Sequence, residues 1–279
     1  MLVRTDCFAG VFCVALALGC GDSRRQVPDA GEGVIPRVTD AGPGSSPEAG
    51  PAELGDASTV DLTGVLGDDP LREHCQDAPP ATHVVRTIDE VVGLANALPK
   101  PLSIGCFIRA LKRPLNVNLS RSMFSAQLAA GERSPRIFIF LDSLILTVVP
   151  EGLGRDLLEM GQVLNDTRSI KAELKFPLTG EVHPDAAYEG ILFTPAITSC
   201  ALCHAQETET TFFGPRRVFI SDALRPLPRL DVPIPRMVRE VRECDPYAEG
   251  ERCAMLHSIF LYGPVQRAEF QETFATFGN

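Results

Sequence analysis

The chain has no tryptophan and only three tyrosines in 279 residues. Aromatic cages for quaternary ammonium groups and stacking platforms for single-stranded nucleic acid depend on such residues, so neither is expected. Positive charge is also scarce: the formal net charge is −10, the pI is near 5.0, and no basic run stands out. That excludes a nucleic-acid partner and electrostatic adhesion to an anionic bilayer. A serine nucleophile elbow, a phosphate-cradling glycine loop and a His-Glu metal helix are all missing. Acidic pairs such as Asp89-Glu90 read as solvated helix residues rather than an acid–base pair.

What is present begins with an address. Arg4 supplies a short positive region, and Cys7 to Gly19 form an apolar stretch. That stretch is too short for a membrane span and the right length for the core of a signal peptide. It ends Ala17-Leu18-Gly19-Cys20, which resembles a bacterial lipobox. The resemblance implies that residues 1–19 are removed and that Cys20 is lipidated as the new N-terminus. The expected location is the bacterial cell envelope, with membrane attachment through the N-terminal lipid, facing the periplasm or the outer surface. Residues 20–70 are rich in Gly, Pro, Ala, Ser, Asp and Glu without apolar periodicity. Such a segment cannot offset its ordering entropy by burial and reads as a disordered tether.

The folded part is expected to be α+β, with a mainly β region over 71–182 and a loop-rich region with short helices over 183–279. The spacing of apolar residues predicts a helix over Ile88–Leu98, stopped by Pro99 and Pro101. Leu115–Leu119 alternates like a half-buried strand. Ile137–Leu141 and Leu144–Val149 flank Asp142-Ser143 as a hairpin, in an antiparallel sheet or sandwich. Ser169–Phe176 predicts a strand with Ile170, Ala172, Leu174 and Phe176 on one face, whereas Asp156–Leu164 fits helix or strand. Four prolines over Leu224–Pro235 exclude regular helix there. Helices are expected again over Gly250–Leu261 and, shorter, over Arg267–Phe277.

Export changes how the nine cysteines read. With Cys7, Cys13 and Cys20 assigned to the N-terminus, Cys75, Cys106, Cys200, Cys203, Cys244 and Cys253 remain in an oxidising compartment, where pairing is expected. The simplest arrangement joins Cys75 to Cys106 and Cys244 to Cys253, although four cysteines allow three connectivities.

Cys200-Ala201-Leu202-Cys203-His204 is a complete C-x-x-C-H. At this spacing two thiols can add to the two vinyl groups of haem, and the adjacent His can ligate the iron. Three other readings stay open: a local disulfide, a thiol–disulfide redox pair, and a zinc site. Cys244 and Cys253 are too far apart in sequence to complete a standard zinc ribbon. The motif resembles that of c-type cytochromes, over the last third of the chain and specifically at these five positions. The resemblance implies one covalent haem c on Cys200 and Cys203, with His204 on the iron. It also implies a later methionine as distal ligand; Met237, in Ile234-Pro235-Arg236-Met237, is the candidate. Met255, His257 and His183 are lesser candidates. Phe193, Phe212, Phe213, Leu224, Leu227 and Leu230 could wall a pocket, and Arg216 and Arg217 could meet the propionates.

The leading expectation is an envelope-anchored mono-haem c-type protein that passes single electrons to a redox protein partner. The alternative is a disulfide-stabilised β-domain lipoprotein with a binding or structural role and no haem. A single-haem enzyme with an open iron position is the third reading. A di-haem peroxidase would need a second C-x-x-C-H, which the sequence lacks.

Overall fold

The computed structural model describes residues 59–65, 75, 84–123, 125–211, 213, 214 and 216–277. The expected signal segment, Cys20, most of the tether and Phe212 lie outside the described residues. The fold is α+β: a large, mostly antiparallel sheet with a few short helices.

The strands are β1 (Thr59–Val60), β2 (Leu115–Ser120), β3 (Arg136–Leu141), β4 (Leu144–Val148), β5 (Leu157–Val163), β6 (Arg168–Lys175), β7 (Leu192–Thr194), β8 (Ile197–Thr198), β9 (Thr208–Thr210), β10 (Val218–Asp222), β11 (Leu224–Arg225), β12 (Val265–Arg267) and β13 (Ala275–Thr276). Nine of them form one sheet in the order β1-β12-β2-β3-β4-β5-β6-β10-β9. Only the β12–β2 pair in it is parallel. The sheet draws β2 to β6 from the expected 71–182 region, β9, β10 and β12 from the expected 183–279 region, and β1 from the end of the 20–70 segment expected to be a disordered tether, where Leu62 is also buried in the core.

Sequence chemistry explains the central strands. β3 and β4 are joined by Asp142 and Ser143, with Asp142 at φ 59°, a left-handed position that Asp tolerates in a tight turn. Alternation sends Ile137, Ile139 and Leu141 to one face with Leu144, Leu146 and Val148, and all six are buried. The segment that fitted helix or strand is strand β5, which puts Leu158 and Met160 on that same face. β6 adds Ile170, Ala172 and Leu174.

Helices cover this face. α1 (Ile88–Ala97) begins where the Thr87 hydroxyl accepts the Glu90 N–H at 3.2 Å, and buries Ile88, Val91, Val92 and Ala95. α2 (Ile104–Arg109) is capped by Ser103 and carries Cys106. A one-turn helix, α3 (Ala186–Glu189), lies against β6. α4 (Ile234–Glu243) and α5 (Gly250–Phe260) are joined by a buried ion pair, Arg252 to Glu240 at 2.6 Å, the two side chains being 3% and 4% exposed. Gly105 permits the close packing of α2 on α5, because a Cβ there would come within 2.8 Å of the Ser258 hydroxyl.

Disulfides join Cys75 to Cys106 and Cys244 to Cys253, with Cα atoms 5.3 and 5.8 Å apart. Two elements differ from expectation. No helix spans 267–277: Val265–Arg267 pairs with β2, and Phe270 and Phe274 turn onto the sheet instead of lining one helical stripe. Conversely, α4 forms although its first turn holds Pro235, because a proline there gives up an N–H that has no intrahelical acceptor.

Candidate functional site

The other face of the sheet carries the chemistry. β3 presents Arg136 and Phe138, β4 Ile145 and Thr147, β5 Glu159, and β6 Ser169, Lys171 and Glu173. Over these lies a cavity of about 140 Å³. Its cover comes from distant sequence: Ile191 and residues 199–204 on one side, Phe270, Phe274 and Phe277 on the other. Phe138 and Phe270 meet edge to face, with centroids 4.9 Å apart.

The C-x-x-C-H segment is part of this cover. Ser199–Leu202 forms one 3₁₀ turn whose first N–H groups need acceptors. The Thr198 hydroxyl oxygen takes the Cys200 N–H at 3.1 Å. Glu207 in turn holds Thr198, accepting its N–H at 2.9 Å and its hydroxyl proton as well. Arg168 fixes the far end of the loop, donating to the Gln206 carbonyl at 2.7 Å and pairing with Asp222 at 3.3 Å. The Cys200 carbonyl accepts from the His204 N–H at 2.8 Å.

Cys200, Cys203 and His204 all line the cavity. Both thiols are free; Cys200 is half-buried and Cys203 exposed. The His204 Nδ1 lies 2.7 Å from the Asp222 carbonyl oxygen. A carbonyl can only accept, so Nδ1 carries the proton and the Nε2 lone pair is left available. Burial, with Lys171 and Arg136 nearby, pushes the imidazole down to about 3 against the opposing pull of the Asp222 carbonyl, so the ring is neutral at physiological pH. Burial also pushes the Cys200 thiol up to about 11 and Lys171 down to about 8. Glu173, desolvated and beside Glu159 and Asp156, is raised to about 7.

A thiol-exchange pair needs a leading cysteine that ionises readily, and Cys200 is shifted the other way. A structural zinc site needs ligands converging on one point. Among the described residues no three His, Cys, Asp or Glu side chains do so. Haem c asks only that the imidazole reach the iron while the thiols bond carbon, and an imidazole whose Nδ1–H is held by a carbonyl is the usual state of a metal-ligating His. Arg136 and Arg225 line the cavity, and each has a buried Nε without a hydrogen-bond partner, which suits carboxylates such as propionates. The motif offers the side chains haem c would need, an imidazole and two thiols. A cavity of this size admits about one aromatic ring, so the enclosed space is smaller than a macrocycle.

Other expected residues sit elsewhere. Met237 is fully buried in the helix-covered core on α4 and does not line the cavity. Met255 and His257 are buried on α5, and His183 is exposed. Leu224 lines the cavity, Leu227 and Leu230 do not, Phe213 packs against the main core, and Phe193 is 78% exposed. Arg216 is bound to Asp89 and Asp185, and Arg217 to Glu209, so neither faces the cavity. Lys171, Arg136 and Arg225 were not expected there. Comparison with family models, curated proteins and solved structures gives no match.

Proposed function

We propose that this chain is an envelope-anchored mono-haem c-type protein that takes part in single-electron transfer with a redox protein partner. The observation that carries the reading is His204, its Nδ1 held 2.7 Å from the Asp222 carbonyl, in a cavity also lined by two unpaired cysteines. Each thiol would add across one vinyl group, its sulfur bonding one vinyl carbon and its proton going to the other. When bound, haem c supplies a one-electron couple at its iron. The chain's own residues do the rest. The Asp222 carbonyl fixes the imidazole and raises its basicity, Phe138 beneath the cavity and Phe270 and Phe274 over it keep one side apolar, and Arg136 and Arg225 offer N–H donors to anionic groups.

A partner has a surface to meet. Leu202, between the two cysteines, is 86% exposed, and Phe193 and Ile197 on the neighbouring β7–β8 hairpin are 78% and 49% exposed. Exposed apolar side chains beside Cys203 suit a transient docking face. In this proposal residues 1–19 direct export, Cys20 carries the lipid and the part of the 20–70 segment before β1 holds the folded part off the membrane.

The test is production of the full chain alongside a c-type cytochrome maturation system. The expected product is red, and its chromophore stays with the polypeptide through denaturation and acid–organic extraction. Cys200→Ser with Cys203→Ser is expected to fold without colour. A folded, colourless wild-type product would overturn the reading. The alternative, a haem-free binding lipoprotein, draws support from the two disulfides and the helix-covered core, neither of which involves the cavity. Under that alternative the double serine variant keeps every interaction of the wild type.

A further inference from the structure

The cavity is built around a missing side chain. Gly161 lies within β5 on the cavity face and lines the enclosed space. A Cβ there would meet nothing within 4 Å, so the sheet leaves a hole in the floor. Glycine weakens a strand interior, and it often marks a place where a ligand comes close to the backbone. In register, Gly161 stands opposite Ile145 on β4 and Lys171 on β6, so one cross-strand row runs Ile145, Gly161, Lys171. Side chains directly opposed in such a row start about 5 Å apart. The hole therefore has an aliphatic wall on one side and a lysine on the other.

The two sides differ in what they can hold. Phe140 extends the row beyond Ile145, and Phe270 meets Phe140 and Phe138 edge to face at 5.0 and 4.9 Å. That side offers apolar contact to a flat ring. The other side offers charge. Lys171 is 8% exposed, and its amine donates to the neutral Ser169 hydroxyl at 2.6 Å. Among the described residues no carboxylate pairs with it, and the neighbouring Glu159 is held by Arg136 at 2.5 Å. Arg225 also lines the cavity, with a buried Nε that has no hydrogen-bond partner. Arg136, Lys171 and Arg225 thus outnumber Glu159 and Glu173 in the lining. A buried ammonium is costly unless an anion pairs with it.

We infer that this cavity binds a small organic carboxylate whose apolar body is the size of one ring, with the carboxylate on Lys171 and the ring over Gly161. The space of about 140 Å³ admits one such ring. The guest's carboxylate supplies the anion that the fold does not give Lys171. A neutral ring would leave that ammonium unpaired, and an inorganic anion would leave the aromatic wall without contact. The site lies in a space smaller than a macrocycle and does not depend on haem attachment.

Benzoate is the probe and benzamide its neutral counterpart, each titrated by calorimetry into the folded full chain made without the maturation system and shown by mass to carry no haem. The expected result is saturable benzoate binding with a Kd on the order of 1 mM or tighter. Benzamide is expected to bind at least about tenfold more weakly, since it lacks the charge that Lys171 pairs with. Lys171→Met keeps the length of the side chain and removes its charge. It is expected to weaken benzoate at least about tenfold and to erase the preference over benzamide. Gly161→Leu fills the hole without touching a charged group and is expected to abolish binding. Gly161→Val, β-branched and suited to a strand, takes its place should the leucine variant fail to fold. Lys175→Met, on the same strand with a side chain 74% exposed, is expected to match wild type. No saturable benzoate binding, equal affinity for benzamide, or wild-type affinity in Lys171→Met or in the Gly161 variant would each overturn the inference. Any of these leaves covalent haem, read by mass after co-production with the maturation system, untouched.

Discussion

The two faces of the large sheet are built from the same strands and have opposite character. On the helix-covered face the strand residues are aliphatic and closed off, from Ile137 and Leu146 to Leu174, and the disulfide to Cys75 anchors α2 there. On the cavity face the alternate residues of the same strands are Arg136, Glu159, Lys171 and Glu173. A cover of phenylalanines and the C-x-x-C-H loop lies over them, and burial lowers Lys171 and raises Glu173 from their ordinary values. Buried, mutually perturbing titratable groups are seldom the cheapest way to close a sheet, and they concentrate at functional sites. One face therefore holds the fold together, and the other tolerates electrostatic cost for the sake of chemistry.

The contrast can be broken most forcefully at Phe107, fully buried against the core face. Phe107→Ala is expected to lower unfolding free energy by about 3–5 kcal/mol, read as a shifted urea midpoint with an unchanged slope. Next in size is Cys75→Ser. Its disulfide spans a sequence separation of 31, against 9 for Cys244–Cys253. Loop-closure entropy then predicts a loss of about 3–4 kcal/mol, roughly 1 kcal/mol more than for Cys253→Ser.

Glu173 sharpens the comparison through pH. Its carboxyl is raised to about 7 in the folded state from an ordinary 4.5, chiefly by burial and then by Glu159 and Asp156. The folded chain thus binds more protons than the unfolded one between those values. Its contribution is most favourable below pH 4.5 and is lost as pH rises through about 7. Glu173→Gln is expected to be more stable than wild type at pH 8 by about 1–2 kcal/mol, discounted for partial exposure. The difference should vanish near pH 4, as thermal melts at the two pH values would show. The smallest expected effect on folding is at His204. Removing its bond to Asp222 costs about 1 kcal/mol, yet His204→Ala should change the haem absorption spectrum.

These expectations also show which features local sequence carries. Alternation in β2 and β6 marked a core face, whereas β3 and β4 read only as continuous apolar runs because both of their faces are covered. The two disulfides match the simplest of the three pairings that the sequence left open. α4 was hidden by a run of prolines that ends inside its first turn. The cavity was hidden for a different reason. Ser169, Lys171 and Glu173 look like an ordinary solvated face until Phe270, Phe274 and residues 199–204 fold over them, and no local pattern announces a cover supplied from so far along the chain. The C-x-x-C-H motif was legible outright, whereas Lys171 was not. Met237 looked like a ligand only because it follows a proline, although the helix it sits on packs against the opposite face.

Intact-mass and peptide mass spectrometry of the mature protein, purified after co-production with a c-type maturation system, is the most direct test of the account. The prediction is one haem mass borne by the peptide containing Cys200 and Cys203, with Cys75–Cys106 and Cys244–Cys253 oxidised. A peptide lighter by two hydrogens, with Cys200 bonded to Cys203 and no porphyrin attached, would contradict it.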